Sequence, residues 1–210
     1  LLIDLPDVGG GVRLDMAAGY ETWDSAWYFG LGNRTPRLAP EATPERFYEM
    51  DLDSVWVVPN ARLPITDGLT MFLGLVLRSV ELEVFPGSLL ERDAPEGRDG
   101  GFLGQLQVGL MVDTRDREPS PSKGLFTEVS LRGAHPLTGS DFTLWGGNAT
   151  HRQWFPLVPD GALTLALRAG LDLQTGEAPF FHQHILGGSQ WVEVGGEALI
   201  TADHGNVEQM

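Results

Sequence analysis

The residues from Phe102 to Arg132 alternate between apolar and polar side chains around a polar run, Asp113-Thr114-Arg115-Asp116, and a turn built from Pro119, Pro121 and Gly124. In the first half Phe102, Leu106, Val108, Leu110 and Val112 hold even positions, while Gln105, Gln107, Gly109 and Asp113 hold odd ones. In the second half Leu125, Thr127, Val129 and Leu131 alternate with Phe126, Glu128, Ser130 and Arg132. Side chains of an extended strand point to opposite faces with period two, so each half has one oily and one wet face. Helical spacing fits neither half, and the segment predicts a β-hairpin.

The same period recurs along the chain. Val12 to Tyr20 alternates cleanly, and a second strand is expected over Ala26 to Gly30. Asn33 to Glu45, rich in Pro and charge, reads as a loop. Phe47 to Val58 is the next strand and Pro59 to Asp67 a turn. In Leu69 to Phe85 the apolar residues are odd up to Leu77 and even from Val80 to Val84. A one-residue slip exchanges the faces of a strand, so a bulge is predicted near Arg78 and Ser79, and a strand projecting past a membrane would explain it. After the loop Pro86 to Gly100 and the hairpin come a weaker strand pattern over Asp141 to Leu157 and a clean one over Ala162 to Leu173. The sum is roughly eight strands in a meander of hairpins, with no helical domain.

Alternation of this kind suits a lipid-facing barrel wall or one leaf of a soluble sandwich. A strand ending Val112-Asp113-Thr114-Arg115-Asp116, a Pro-rich turn, then Gly124-Leu125-Phe126 resembles the β-barrel domain of the Omp85 superfamily, the bacterial surface antigen or D15 type. Tyr28-Phe29-Gly30-Leu31-Gly32-Asn33 is similar to a segment early in these barrels, and Ala178-Pro179-Phe180-Phe181 with Leu186-Gly187-Gly188-Ser189 to one near their end. The likeness spans about residues 10 to 189. It implies an all-β fold: an antiparallel meander forming part of a transmembrane β-barrel of the bacterial outer membrane, truncated to about half the family's strand number. It also implies insertion, assembly or translocation of outer-membrane or secreted client proteins, by a lateral seam and membrane thinning rather than by bond chemistry.

Composition fits such a wall. The 210 residues include 27 Gly and 14 Pro, suited to many turns. No apolar run approaches the ~20 residues of a spanning helix, whereas a barrel strand needs only ~9–11. A formal charge of −15, with 14 Lys and Arg against 29 Asp and Glu, argues against a nucleic-acid partner. Cysteine is absent, which removes disulfides and thiolate chemistry. Leu1-Leu2-Ile3-Asp4 has no basic n-region, h-region, cleavage site or initiating Met. An export signal and any periplasmic domain are therefore expected upstream.

Candidate chemistry is sparse. Asp113 to Asp116 invites a metal reading, but a Ca²⁺ site takes 6–8 oxygens and the spacing supplies no such loop. Asp113, Thr114, Arg115, Asp116 and Gly124 are instead expected to tie down the turn. On the polar faces Arg13, Arg132, Arg152 and Arg168 fall among Asp15, Glu128 and Asp172, charges that must pair in a narrow lumen. Trp23, Trp27, Tyr28, Trp145 and Trp154 sit near strand ends, as an interfacial girdle would require. His182 and His184 share one face of an extended segment, but no third Zn²⁺ ligand is near.

The end of the chain departs from this pattern. After Ser189 the Arg-Gly-aromatic element of these barrels is missing, and Gln190-Trp191-Val192-Glu193-Val194 stands there. Residues 191–210, with Ala202-Asp203-His204-Gly205, resemble the metal-binding segment of the cofactor-independent phosphoglycerate mutases. That resemblance implies Asp203 and His204 as ligands of one of two manganese ions in a cytoplasmic phosphoryl-transfer enzyme. The rest of the chain has no matching nucleophilic Ser or further ligands. The expectation is therefore a barrel portion over 1–189 without catalytic residues or cofactor, joined to a tail over 190–210 of different origin.

Overall fold

The computed structural model of the chain describes residues 1–31, 44–159 and 162–183. It contains one sheet of eight antiparallel strands, each beside its sequence neighbour. These are β1 (Leu2–Leu5), β2 (Arg13–Trp27), β3 (Glu49–Thr66), β4 (Leu69–Val84), β5 (Gly101–Asp113), β6 (Gly124–Ala134), β7 (Leu144–Pro156) and β8 (Thr164–Gly176). A five-residue helix, α1 (Leu89–Asp93), lies between β4 and β5. Among the described residues the meander is not closed, and β1 and β8 are its edges.

The expected strand number is met by a different partition. The two segments predicted over Val12 to Tyr20 and Ala26 to Gly30 are one strand, β2, and Leu2–Leu5 adds a short strand beside it. Their apparent separation is a bulge: Ser25 has φ 67° and donates its N–H to the Asp51 carboxylate at 2.8 Å, while the β2–β3 register shifts between Trp23 and Ala26. The turn expected over Pro59 to Asp67 is strand, and the chain reverses only at Asp67-Gly68. Proline lacks the N–H that a ladder uses, so it argues for a turn from sequence. Here the β3–β4 pairing skips Pro59 and shifts by a residue near Pro64, and the strand absorbs both.

The register places the two faces unambiguously. Leu106, Val108 and Leu110 of β5, Val129 and Leu131 of β6, and Leu165, Leu167, Leu171 and Leu173 of β8 share one face, where Leu131 is 67% and Leu173 61% exposed. Gln105 and Gln107, Ser130 and Arg132, Asn148, and Asp172 share the other. A sheet with its leucines outward and polar groups inward reverses the arrangement of a water-soluble leaf.

The bulge expected near Arg78 and Ser79 does not exist. From Leu69 to Val80 strand β4 pairs with β5 without a shift, and with β3 the register is the same on both sides of Arg78. The surroundings change instead. Odd residues Leu69 to Leu77 lie on the apolar face over nine positions, close to the ~9–11 residues that span hydrocarbon. Above them Glu81 and Glu83 stand opposite Asp53 and Asp51 on the same face. Even residues Leu82 and Val84 meanwhile turn into a buried cluster of Tyr28, Phe47, Met50, Leu89 and Leu90.

That cluster lies at one end of the sheet, which carries the two longest connections, residues 28–48 and 85–100, and the shorter one over 135–143. A second cluster, Leu103, Ala134, Phe142 and Leu144, lies at the same end. After β8 the segment Ala178-Pro179-Phe180-Phe181 joins them. The Phe180 ring lies 5.3 Å from Tyr28, the Phe181 ring 5.8 Å from Phe142, and the Phe180 N–H donates to the Glu96 carbonyl at 2.9 Å. The buried apolar core is thus a cap under the long loops rather than the filling of a sandwich. Leu103 is fully buried in it. Leu103→Ala should cost about 2–5 kcal/mol, read as a lower midpoint in urea unfolding from detergent micelles, whereas Leu106→Ala on the apolar face should cost much less there.

Candidate functional site

The polar face is built from charges that alternation alone brings together. Arg13 stands opposite Arg62, and Arg152 opposite Arg168, positions where like charges repel. Carboxylates offset this on the first pair: Arg13 forms a two-pronged contact with Asp4 at 2.9 and 2.6 Å, and Arg62 lies 3.3 Å from Asp15. Asp15 also accepts from the Asn60 amide at 2.9 Å. Arg132 reaches across β7 to Asp172 on β8, donating through Nη1 and Nη2 at 2.8 and 2.5 Å. Gly146 lies beneath the reaching side chain, where a Cβ would come within 2.9 Å of Arg132 Nε.

All seven charged residues expected to face the lumen lie on this face. Sequence reasoning missed Asp4, Asn60 and Arg62, because Leu2–Leu5 is short and Pro59 disguised the strand around Asn60 and Arg62. Their signal was the alternation of Asn60 and Arg62 with Ala61 and Leu63. Nearer the capped end, Arg78 donates to Ser54 Oγ at 2.8 Å and Trp56 Nε1 to Glu21 at 3.1 Å.

The aromatic girdle is only partly as expected. Trp27 and Trp145 are on the apolar face, 65% and 57% exposed, near the long-loop end. Tyr28 is buried in the cap, and Trp23 and Trp154 take polar-face positions. The bulge at Ser25 decides this for Trp27 and Tyr28, because it reverses the facing of every later residue. Burial and the nearby Asp93 carboxylate push the Tyr28 hydroxyl up to about 12.

At the opposite end, the turn between β5 and β6 is held by side chains. Arg115 clasps Asp113 through Nε and Nη2 at 2.9 and 2.6 Å, with its guanidinium 5.0 Å from the Phe126 ring. Asp116 accepts from the Ser122 N–H at 2.9 Å, the Ser122 hydroxyl at 2.6 Å and the Lys123 N–H at 3.3 Å. Thr114 Oγ1 accepts from the Leu125 N–H at 3.1 Å. Gly124 has φ 103°, and a Cβ there would lie 2.3 Å from the Thr114 carbonyl oxygen. Both Asp116 carboxylate oxygens thereby accept from within the turn.

His182 has its Nε2 3.3 Å from the Gln105 amide nitrogen, while His184 lies outside the described residues. Leu186 to Ser189, Asp203 and His204 also lie outside them, as does Asn33. Among the described residues no group of three or more His, Asp or Glu converges on a metal position. Among the described residues the arrangement offers paired charges, a capped end and a wall.

A meander with leucines outward, paired charges inward and an aromatic rim is the wall of a transmembrane β-barrel. The Omp85 superfamily domain matches residues 11–193, and the chain belongs to that superfamily. The crystal structure of BamA from Haemophilus ducreyi lacking POTRA domains 1-3 has a similar fold, with a TM-score of 0.62 at 16% identity. The match covers 89% of this chain and 35% of that one, so the chain spans about a third of that structure's length. No curated protein matches the chain.

Two measurements test this site. A double-mutant cycle over Arg132→Ala and Asp172→Ala, followed by urea titration, should give a coupling of about 1–3 kcal/mol, since Arg132 is nearly buried and each partner leaves the other exposed to desolvation. Additive losses would show that the two side chains are not coupled. The donors from Ser122 and Lys123 hold the Asp116 carboxyl down to about 2. A depressed value means that the turn gains stability above the ordinary carboxylate range and loses it as pH falls through about 2. Carboxyl NMR of Asp116 should show that titration, and a midpoint near the ordinary ~3.9 would show the turn open.

Proposed function

We propose that the chain forms part of a bacterial outer-membrane barrel that assists the insertion or translocation of outer-membrane or secreted proteins. The observation that carries the reading is the inverted sheet: apolar face outward, charges paired inward, over the same residues that match the Omp85 domain. Such a wall supplies no bond chemistry. The edges β1 and β8, which no other described strand pairs on their outer sides, present rows of N–H and C=O groups that can take another strand or close on each other. In this reading residues 190–210 are a separate tail and take no part in the wall.

The same reading orients the sheet. The two-residue turn Asp67-Gly68 and the segment between β5 and β6 lie side by side, because the Asp113 N–H donates to the Gly68 carbonyl at 2.9 Å, and both are shorter than the connections 28–48 and 85–100 at the capped end. Barrels of this kind keep short turns in the periplasm and long loops outside. Asp113 to Gly124 therefore faces the periplasm, and the capped end faces outward.

The first test concerns the membrane. Leu171→Arg in the middle of the apolar face should weaken folding into phosphatidylcholine vesicles by about 2–4 kcal/mol, and an unaffected variant would argue for a soluble leaf. The second concerns function. Vesicles bearing the folded chain should take up a urea-denatured outer-membrane protein, scored by protease protection, faster than empty vesicles. Equal rates with the chain demonstrably folded in the bilayer would sink the assembly role.

A further inference from the structure

The connection between β6 and β7 does not bend over the polar face. Its turn, Pro136–Thr138, folds onto the apolar side of the sheet, where the Thr138 carbonyl oxygen lies 2.3 Å from the place a Cβ would occupy on Gly104. The turn is rigid. Its Leu137 N–H donates to His135 Nδ1 at 3.2 Å, and Thr138 Oγ1 donates to the Gly104 carbonyl. This ledge holds Leu137 outward at 92% exposure. One strand pair away, the Trp145 ring lies over Gly133, 2.5 Å from the position of an added Cβ.

Between ledge and ring runs a groove of about 610 Å³, walled by Leu106, Val108, Leu131 and Trp145 and closed at its upper end by His135 and Leu137. Its volume falls within the ~300–1,000 Å³ of small-molecule sites. The groove is continuous with the apolar face that meets lipid, since Leu106, Val108 and Leu131 belong to that face. Its lining carries little polar surface beyond the turn, so it selects an apolar and narrow occupant. A nearly bare Leu on a pinned turn would be poorly placed in water, and suitably placed against hydrocarbon.

We infer that this groove seats one acyl chain of a bilayer lipid in the leaflet at the long-loop end, retained longer than the lipids around it. The inference rests on the membrane reading above. Recognition runs through the chain and not the headgroup, because the aliphatic walls and the Trp145 ring act on methylene groups. The groove exists before the lipid arrives, so little ordering opposes binding.

Native mass spectrometry tests this after the chain is folded into vesicles of palmitoyl-oleoyl phosphatidylethanolamine and phosphatidylglycerol, extracted into detergent and washed. The wild-type chain should retain one lipid, drawn from both headgroups in proportion to the vesicle. Val108→Trp, which fills the groove, should lower the retained fraction at least tenfold, and Leu137→Ser, which strips the ledge without touching the sheet, should lower it severalfold. Val129→Trp, on the same face outside the groove, should leave it unchanged. Retention by only one headgroup, equal retention in Val108→Trp and wild type, or no retained lipid by a chain folded in the vesicles would overturn the groove alone. A chain that folds as a monomer without detergent or lipid would overturn the membrane reading as well.

Discussion

In hydrocarbon no water is present to bond an unpaired N–H or C=O, and that constraint governs this sheet. It explains why each strand lies beside its sequence neighbour, the shortest way to satisfy both ladder directions. It also explains where irregularity is allowed. The register shifts fall near Ser25 and Pro64, close to the strand ends, and β4 and β5 pair without a break across the leucine band. Only Pro59 interrupts pairing further in, between β3 and β4.

With the backbone satisfied, side chains divide by solvent. Leucine outward needs no partner in lipid, while a charge inward needs one, because a buried unpaired ion is far costlier than a paired one. The polar face meets this by reaching between strands. Arg132 crosses over Gly146 to Asp172, and Arg13 and Arg62, forced opposite each other by register, are separated electrically by Asp4 and Asp15. The residues that matter most here are therefore a glycine and an edge-strand aspartate.

Beyond the leucine band the rules reverse within one strand. Above Leu77, β4 turns glutamates outward and valine and leucine inward, because its outer side has left the apolar zone and its inner side is covered by Phe47, Leu89 and Leu90. The same change read along the sequence imitates a slipped register, which is why a bulge was expected there. Period-two patterns report the polarity of surroundings, and a strand passing between two environments exchanges its pattern without exchanging its faces. The strap of Pro179, Phe180 and Phe181 completes that cap by tying the end of β8 to Tyr28 at the end of β2.

Much of the wall was legible in the amino-acid sequence. Alternation located β5, β6 and β8 within a few residues and assigned their faces, since side-chain direction in a strand depends only on local backbone geometry. It also placed Arg132 and Asp172 on the inward side, and the order of short motifs indicated the family. Tertiary structure decided the rest. Whether Pro59 ends a strand, which way Trp27 and Tyr28 point after Ser25, and that Arg132 selects Asp172 all depend on what lies on neighbouring strands. A ladder can bridge a proline, a bulge can reverse a face, and an arginine can span a glycine, but each is settled by contacts between residues far apart in the chain.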